Sequence, residues 1–536
     1  MLRQLICFAL CLGTTFMLNA QQLSSTVTVE QGKLSGKHVE HLHQFFGVPY
    51  AEPPVGQLRW QPPQKAQNWL GIKQVHTFEN QCMQKYLYDD MRFRSKGVSE
   101  DCLYLNIWTP DLAPTEKLPV LVYFYGGGFR AGDGSEPRYD GAALAKKGIV
   151  VVTVNYRLGI FGLLAHPSLS AQSGYGGSGN YTFLDQQAAL EWVNKNISQF
   201  GGDPTRVTIG GESAGSISVS AHMVAPDSKG LFSAAIGQSG SILGPPLPAV
   251  SLQKAHEMGV STVNQLHNKL SLKVDRGNIE QLREVSAETL LDALEELGIS
   301  RFSTTVDGRF IKDLPISLYR KGQFAKVPLL AGVNSQESHY TSIVDKPLVT
   351  KEDYQQAIRN LYPEYYQEVL AMFNISEQED IKDALQTLAS DRFISFGAWA
   401  WIDAVTHHPS VSGKQPSTYF YRYDHIRPAR KVSEGGTGEH HDRGAVHSAE
   451  IEYVFGNLDN NPLYLWQPED YQVSKVVQGY FERFIKTHDP NGEGQAFWPT
   501  FSSEKWMILS KEPEYQSFEA HIKRYQFFMD YYYPSN

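Results

Sequence analysis

A serine between two glycines, with a strand before it and a helix after it, most constrains how this chain folds. Residues 207–209 are all β-branched and predict a short strand, and residues 214–223 predict a helix. Ser213 stands between them, with Gly211 two residues before it and Gly215 two residues after it. A turn this sharp forces the serine backbone into an unfavourable conformation, so the residues two positions away must be very small. The serine hydroxyl then lies beside a helix N-terminus, which favours negative charge.

In this setting the pattern G-x-S-x-G is the nucleophile elbow of an α/β-hydrolase. A plain glycine-rich turn is the alternative for the five residues alone, because the chain contains 45 glycines. The strand before the serine and the helix after it favour the elbow.

A second glycine cluster follows another predicted strand. Residues 118–125 (LPVLVYFY) form the continuous apolar run that a buried parallel strand needs, and three glycines at 126–128 follow it. Such a loop exposes backbone N–H groups that no side chain shields. The N–H groups of Gly127, Gly128 and Ala214 are therefore predicted to hold the oxyanion of a tetrahedral intermediate. A flexible loop without this role is the alternative.

Further motifs make the chain similar to the type-B carboxylesterases, the family that includes the cholinesterases, the mammalian liver esterases and related bacterial esterases. They are FGVPYAEPPVGQLRW at 46–60, SEDCLYLN at 99–106, VNYRLG at 154–159 and LDQQAALEW at 184–192. The resemblance implies an α/β-hydrolase fold, with a mostly parallel central sheet, helices on both faces and helical insertions over the active site. It also implies a serine carboxylesterase of the secreted, bacterial type.

The resemblance supplies the acid and the base of a catalytic triad, in the chain order serine, acid, histidine. Glu337 follows a predicted buried strand at residues 327–333, where the family places its acid. Glutamine and serine flank it, whereas relatives commonly have Asp-Glu-Gly; an ordinary solvated loop carboxylate is the alternative. The segment GAVHSAEIEYVFG at 444–456 makes His447 the candidate base. The nearby His440 and His441 are the rival histidines, but they lack that context.

Three more residues are expected near the triad by resemblance: Glu212, Glu450 and Ser239. For the two carboxylates, a buried hydrogen-bonded role without a catalytic step is at least as plausible. Ser213 is predicted to attack an ester carbonyl, His447 to take and return its proton, and Glu337 to orient the imidazole. The expected partners are a small-molecule ester and water, and we expect neither a cofactor nor a metal ion.

The sequence of the loop between Cys82 and Cys102 limits the range of substrates to be expected. Both cysteines match the positions of the family's first disulfide, and the loop contains Tyr86 and Tyr88 but no tryptophan. Because cholinesterases use a tryptophan there to bind quaternary ammonium, choline esters are disfavoured. The loop mixes aromatic and charged residues, which favours the rim of a pocket for a water-soluble ester over the apolar lid of a lipase.

The pocket walls can be predicted only coarsely. Phe129, Leu243 and Tyr340 are candidate lining residues, with ordinary core positions as the alternative. The proline-rich run at residues 244–249 is expected to shape the acyl side of the pocket, or to be a plain loop.

The N-terminus predicts export. Residues 1–20 combine one basic residue, a short apolar run and a small residue before Gln21, as in a secretory signal peptide. No later segment is long and apolar enough to cross a membrane. Two of the four cysteines lie in this signal, which leaves Cys82 and Cys102 as a pair in an oxidising compartment. We therefore expect a periplasmic or secreted protein.

The rest of the chain, residues 21–536, is predicted to form one domain, because no linker, repeat or low-complexity tract divides it. Residues 250–297 and 351–390 are expected to be largely helical insertions that cap the site. The net charge of −9 is scattered and argues against nucleic acid as a partner. A lipase, an amidase or peptidase with the same triad, and a non-catalytic adhesion relative are the alternative functions. The adhesion relatives lack the nucleophile that this chain keeps.

Overall fold

A mixed β-sheet of thirteen strands organises the computed structural model, which describes residues 24–272, 279–346, 349–373, 375, 380–408, 415–438, 442–502 and 505–534. The predicted signal peptide, His440 and His441 lie outside these residues. The strands are β1 Ser24–Val29, β2 Gly32–Val39, β3 Leu42–Pro49, β4 Ile72–Gln74, β5 Gln81–Cys82, β6 Val98–Ser99, β7 Tyr104–Thr109, β8 Leu118–Phe124, β9 Val150–Val154, β10 Gly202–Glu212, β11 Ala234–Gln238, β12 Val250–Ser251, β13 Thr305–Val306, β14 Leu329–Asn334, β15 Thr418–Tyr423, β16 Lys505–Leu509 and β17 Glu514–Ser517.

The centre of the large sheet is parallel and its two ends are antiparallel. Its order is β1-β2-β3-β7-β9-β8-β10-β11-β14-β15-β16-β17, with β4 paired to β2. All neighbours from β9 to β16 along this order pair in parallel, whereas β1 to β9 and the final β16–β17 pair are antiparallel. The mostly parallel central sheet that the resemblance implied is therefore confirmed.

The sequence of each strand reflects its place in the sheet. The central strand β9 (VVVTV) is buried at every position, as a parallel strand covered on both faces requires. The edge strand β1 alternates between exposed and buried residues, because only one of its faces meets the core. The predicted strand at residues 118–125 corresponds to β8, and the one at 207–209 is the middle of the longer β10.

Sixteen α-helices surround the strands in the described residues. They are α1 Ala142–Ala145, α2 Gly159–Leu163, α3 Pro167–Gln172, α4 Tyr181–Asn196, α5 Ala214–Val224, α6 Leu252–Lys269, α7 Ile279–Glu284, α8 Ala287–Glu296, α9 Pro315–Arg320, α10 Lys351–Leu361, α11 Tyr366–Met372, α12 Asp380–Ser390, α13 Phe396–His407, α14 Ile451–Phe455, α15 Pro468–Thr487 and α16 Glu519–Tyr532. The two predicted insertions are helical: α6 to α8 form the first, and α10 to α12 the second. None of these helices meets the length and hydropathy that a membrane span needs.

A disulfide joins Cys82 to Cys102, as the resemblance implied. Both residues are buried, and the loop that they close runs outward from the core. Two ends that would otherwise move independently are therefore tied together at the base of the loop, which limits the conformations of the residues between them.

A buried ion pair connects two of the sequence motifs. Arg157 belongs to VNYRLG and Asp185 to LDQQAALEW, and both side chains are almost fully excluded from solvent. The guanidinium donates two hydrogen bonds to the carboxylate, from Nε to Oδ2 at 2.8 Å and from Nη2 to Oδ1 at 2.7 Å. The Arg157 N–H adds a third, at 3.1 Å to Oδ2. The pair fixes the start of α4 against the end of β9.

Removing one partner of this pair should destabilise the protein strongly. Asp185→Ala leaves a buried guanidinium without its counter-charge, which we expect to lower the free energy of unfolding by about 3–5 kcal/mol. Glu257→Ala, which removes the exposed partner of Lys254, should cost less than about 1 kcal/mol. Urea denaturation of both variants measures the difference. Equal losses would show that the buried pair does not stabilise the fold as described.

Candidate active site

Ser213 occupies the turn between β10 and α5 with the strained backbone that the sequence predicted. Its φ of 55° and ψ of −117° lie outside the regions that non-glycine residues normally adopt. The Ser213 N–H donates to the Gln238 carbonyl at 2.8 Å, and the Ser213 carbonyl accepts from the Ile217 N–H at 2.9 Å. The turn is thus held from β11 on one side and from the first turn of α5 on the other.

The turn requires glycine on both sides of the serine, because the surrounding backbone is packed too closely for a side chain. A Cβ on Gly211 would lie 2.5 Å from the Gly215 carbonyl carbon, and a Cβ on Gly215 would overlap the Phe124 carbonyl oxygen at the end of β8. Neither glycine has a positive φ, so the limit is space and not backbone freedom. The G-x-S-x-G pattern is therefore required by the close approach of α5 to the ends of β8 and β10.

His447 connects Ser213 with Glu337 through its two ring nitrogens. Nε2 lies 2.9 Å from Ser213 Oγ, and Nδ1 lies 2.6 Å from Glu337 Oε2. Glu337 is 2% exposed, and its other oxygen, Oε1, accepts from the Asn334 N–H at 2.6 Å. Because a carboxylate only accepts hydrogen bonds, Nδ1 carries a hydrogen, and in the neutral imidazole the lone pair of Nε2 therefore faces the serine.

The loops that carry the acid and the base are joined directly. The Gln336 N–H donates to the Ala445 carbonyl at 2.8 Å, and Gln336 Oε1 accepts from the Arg443 N–H at 2.7 Å. Ser335 Oγ accepts from the Ala445 N–H at 2.9 Å. Gln336 stands where relatives commonly have aspartate, and here its amide oxygen fixes the histidine loop beside the acid.

Glu212 and Glu450 lie next to the triad, as the resemblance implied. Glu212 Oε1 is 3.2 Å from His447 Nε2, so this nitrogen faces both a hydroxyl and a carboxylate. Glu450 Oε2 accepts from Asn334 Nδ2 at 2.6 Å, and Asn334 also binds Glu337 through its backbone. Asn334 thus links the two buried acids. Its role was not predicted from the sequence.

The close carboxylates change the pKa values of the whole group. Burial lowers the pKa of His447, but the charges of Glu212, Glu337 and Glu450 outweigh this effect and raise it above its ordinary value. Burial also raises the pKa of the Glu212 carboxyl, to about 8, although His447 acts in the opposite direction. Both shifts favour keeping a proton within the Glu212–His447 pair at neutral pH.

Ser239 follows β11 with a positive φ of 54°, in the same way that Ser213 follows β10. Its buried hydroxyl forms no hydrogen bond with any described residue, and therefore none with Glu337 or His447. Its backbone N–H donates to the Gly332 carbonyl at 2.9 Å. Ser239 thus contributes a backbone hydrogen bond between the ends of β11 and β14.

The three residues whose N–H groups are predicted to form an oxyanion hole line one cavity. Gly127, Gly128 and Ala214 line the same space as Ser213 and His447. Among the described residues, none of the three N–H groups donates to a protein acceptor. They are therefore free to donate to an oxygen atom that is bound in this cavity.

This cavity has a volume of about 280 Å³ and takes its walls from distant parts of the chain. The disulfide loop contributes Tyr88, Asp90 and Met91, which agrees with its predicted place at the rim. Tyr86 is 74% exposed and takes no part in the lining. The proline-rich run contributes Pro246 and Leu247.

The three side chains suggested for the pocket walls lie elsewhere. Phe129 is buried edge-on against Phe183, with ring centroids 5.4 Å apart, and Leu243 is fully buried. Tyr340 packs beneath the Lys382 ammonium, 5.1 Å from the ring centroid. Their core alternatives were correct, because sequence proximity to the site does not determine which way a side chain points.

Two other wall positions gave no signal in the sequence. Phe393 and Ile394 belong to a π-helical turn, Asp391–Ser395, that lies between α12 and α13. The Phe393 ring meets the His447 imidazole edge-on at 5.1 Å. Turns of this kind are rare in proteins overall, but those that occur are often found at functional sites. The insertion helices themselves do not line this cavity; the residues beside them do.

Comparison with known proteins agrees with this site. The model of the carboxylesterase family matches residues 23–528. Fumonisin B1 esterase of Sphingopyxis macrogoltabida is 33% identical, over 92% of this chain and 89% of its own. Para-nitrobenzyl esterase of Bacillus subtilis is 32% identical, over 94% and 98%. Human carboxylesterase 5A is 33% identical, over 89% and 84%.

Solved structures of a PNB esterase share the architecture. One superposes with a TM-score of 0.78 at 30% identity and covers 94% of this chain and 99% of its own; another gives 0.75 at 31%. The fold is the predicted α/β-hydrolase fold. Because the family model spans nearly all of the sequence and several relatives exceed 30% identity over most of it, the chain belongs to the carboxylesterase family.

Proposed function

We propose that this protein is a serine carboxylesterase that cleaves esters through an acyl-enzyme on Ser213. One observation carries the proposal: Ser213 Oγ, His447 and Glu337 form a continuous hydrogen-bonded row at a cavity beside three free N–H groups. Each member has a position suited to one role. Serine, histidine and acid in such a row constitute the triad of acyl-transfer enzymes.

In the acylation step, His447 Nε2 removes the Ser213 proton as Oγ attacks the ester carbonyl carbon. The carbonyl oxygen becomes an oxyanion, for which the N–H groups of Gly127, Gly128 and Ala214 are the proposed donors. The imidazolium then gives its proton to the departing alcohol, and the acyl group remains on Oγ. Loss of one such donor typically slows catalysis by on the order of a hundredfold or more.

In the deacylation step, water attacks the acyl carbon while the same Nε2 removes its proton. The imidazolium then returns this proton to Ser213 Oγ as the bond between Oγ and the acyl carbon breaks, and the acid product leaves. Glu337 keeps the imidazole in the required tautomer throughout. Each step passes through an imidazolium, and its charge lies between the carboxylates of Glu337 and Glu212. Glu212 therefore stabilises the charged form of the base without taking part in bond making.

The substrate proposed for the cavity is a small, water-soluble ester. A volume of about 280 Å³ suits a small molecule better than a long acyl chain, and the rim carries Asp90 next to Tyr88. The relatives named above are described as esterases of quite different molecules, so the family alone does not select a substrate. Export to the periplasm or the medium is proposed from the N-terminal sequence and the Cys82–Cys102 disulfide.

Ser213→Ala should abolish ester hydrolysis. Because the acyl-enzyme cannot form, we expect kcat for p-nitrophenyl butyrate to fall by roughly 10⁴-fold or more. The exposed Ser261→Ala in α6 is the control and should retain wild-type activity. A series of p-nitrophenyl esters from acetate to palmitate, followed by the absorbance of the released p-nitrophenolate, distinguishes an esterase from a lipase. Full activity in Ser213→Ala would refute the proposed nucleophile.

Glu212→Gln should shift the pH profile to lower pH. His447 must be neutral to act as base, so kcat/KM falls as pH decreases through the pKa of this group. In the wild type that pKa is raised, partly by Glu212. Removing this charge lowers it, and we expect the acid limb to move down by about one unit or more. Glu450→Gln, which is farther from Nε2, should shift it less; an upward shift in Glu212→Gln would contradict the electrostatic role.

A further inference from the structure

Nearly all arginines in the described part of the chain have a protein partner for the guanidinium group. Some form ion pairs with carboxylates, as Arg157 and Arg427 do, and others bind carbonyl oxygens or lie over aromatic rings. Among the residues that the structure describes, Arg130 and Arg301 are the two whose side chains have no such contact. Both line cavities: Arg130 lines one of about 240 Å³, and Arg301 lines the cavity that contains Ser213 as well as a smaller one of about 30 Å³ beside α6.

Arg301 reaches the catalytic cavity from the segment between α8 and β13. This segment returns from the first helical insertion, so the guanidinium comes from outside the catalytic loops. Its side chain is exposed and joins the wall that also contains Phe393 and Leu247. The arginine can therefore contact a bound molecule without disturbing the hydrogen bonds of the triad.

The other charged side chains of this cavity have partners of opposite charge within the protein. Asp90 Oδ2 lies 3.1 Å from Arg138 Nη1, and Glu212 Oε1 lies 3.2 Å from His447 Nε2. His447 in turn lies between the carboxylates of Glu212 and Glu337. Among the described residues of the lining, Arg301 is the charged side chain without an ion-pair partner, and it is positive.

A free guanidinium in a small cavity favours one kind of ligand group. Its planar array of N–H donors matches the two oxygen atoms of a carboxylate and can bind them through two parallel hydrogen bonds. We infer that Arg301 binds an ionised carboxylate on the substrate, so that the preferred esters are acidic ones, such as half-esters of dicarboxylic acids. This inference rests on the proposed esterase function and adds the substrate class.

Arg130 provides a matched comparison for Arg301. It lies just beyond the glycine loop, lines a neighbouring cavity of about 240 Å³ and is half-buried. The consecutive residues Ser300 and Arg301 face the two different cavities, as do Leu87 and Tyr88. Arg130 therefore adds the same charge close to the site without lining the space above Ser213.

The test compares two esters that differ in charge but hardly in shape. Monoethyl adipate carries a free carboxylate, and ethyl 5-carbamoylpentanoate has a neutral amide in its place. The acid released by each ester is measured by chromatography, and kcat/KM is determined for the wild type, Arg301→Gln, Arg301→Lys and Arg130→Gln. The ratio of the two kcat/KM values cancels any general loss of activity.

We expect the wild type to prefer the acidic ester and Arg301→Gln to lower that preference about tenfold or more, as loss of a charge-assisted hydrogen bond would. Arg301→Lys should restore part of it. Arg130→Gln should leave it within about twofold, since a charge that does not contact the substrate acts only through screened attraction. The preference should also decrease as NaCl is added.

Three results would overturn the inference while leaving the esterase function intact: equal kcat/KM values for the two esters, an equal loss for both esters in Arg301→Gln, or an equal change of preference in Arg130→Gln. The last would show long-range attraction in place of binding at Arg301. Failure of the wild type to hydrolyse either of these esters or any p-nitrophenyl ester would instead refute the proposed function.

Discussion

The close approach of helix α5 to the ends of strands β8 and β10 is the constraint on which the site depends. It leaves no room for a side chain at Gly211 or Gly215, and it holds Ser213 at a φ of 55°. A strained serine persists only where the surroundings fix it on every side. Here a parallel sheet with buried central strands provides that support, because its neighbouring strand ends are held in register by hydrogen bonds. The reactive hydroxyl thus depends on the packing of the core beneath it.

The second requirement of the site is electrostatic. Three carboxylates, those of Glu212, Glu337 and Glu450, surround the imidazole of His447, and all three are buried. Burying like charges together is costly, and protons retained within the group reduce that cost. The same arrangement favours the imidazolium that forms in each chemical step. The environment is therefore adapted to the charged intermediate more than to the resting enzyme, which is the property expected of a catalyst.

The catalytic residues could be predicted from the sequence, but the residues that form the walls of the cavity could not. Ser213 and its two glycines were readable because a strained turn admits few residue types, and Glu337 and His447 were found through the family resemblance. The approach of Arg301 and the π-helical Phe393 could not be predicted, because each depends on how an insertion returns to the sheet. Tyr340 shows the reverse error: it follows the acid in sequence, yet its side chain packs away from the cavity.

The contacts of Gln336 have a further consequence. The Gln336–Arg443 contact ties the acid loop to the base loop across a sequence separation of 107 residues, and most of the chain between them builds the second helical insertion, α13 and β15. The same two loops are also bound to α12, the last helix of that insertion, because the Ser338 N–H donates to Ser390 Oγ and Arg443 Nε donates to Asp383 Oδ1. A change in the insertion can therefore alter the position of the acid and the base as well as the molecules that enter the cavity. Selectivity and reactivity are coupled through α12 in this protein.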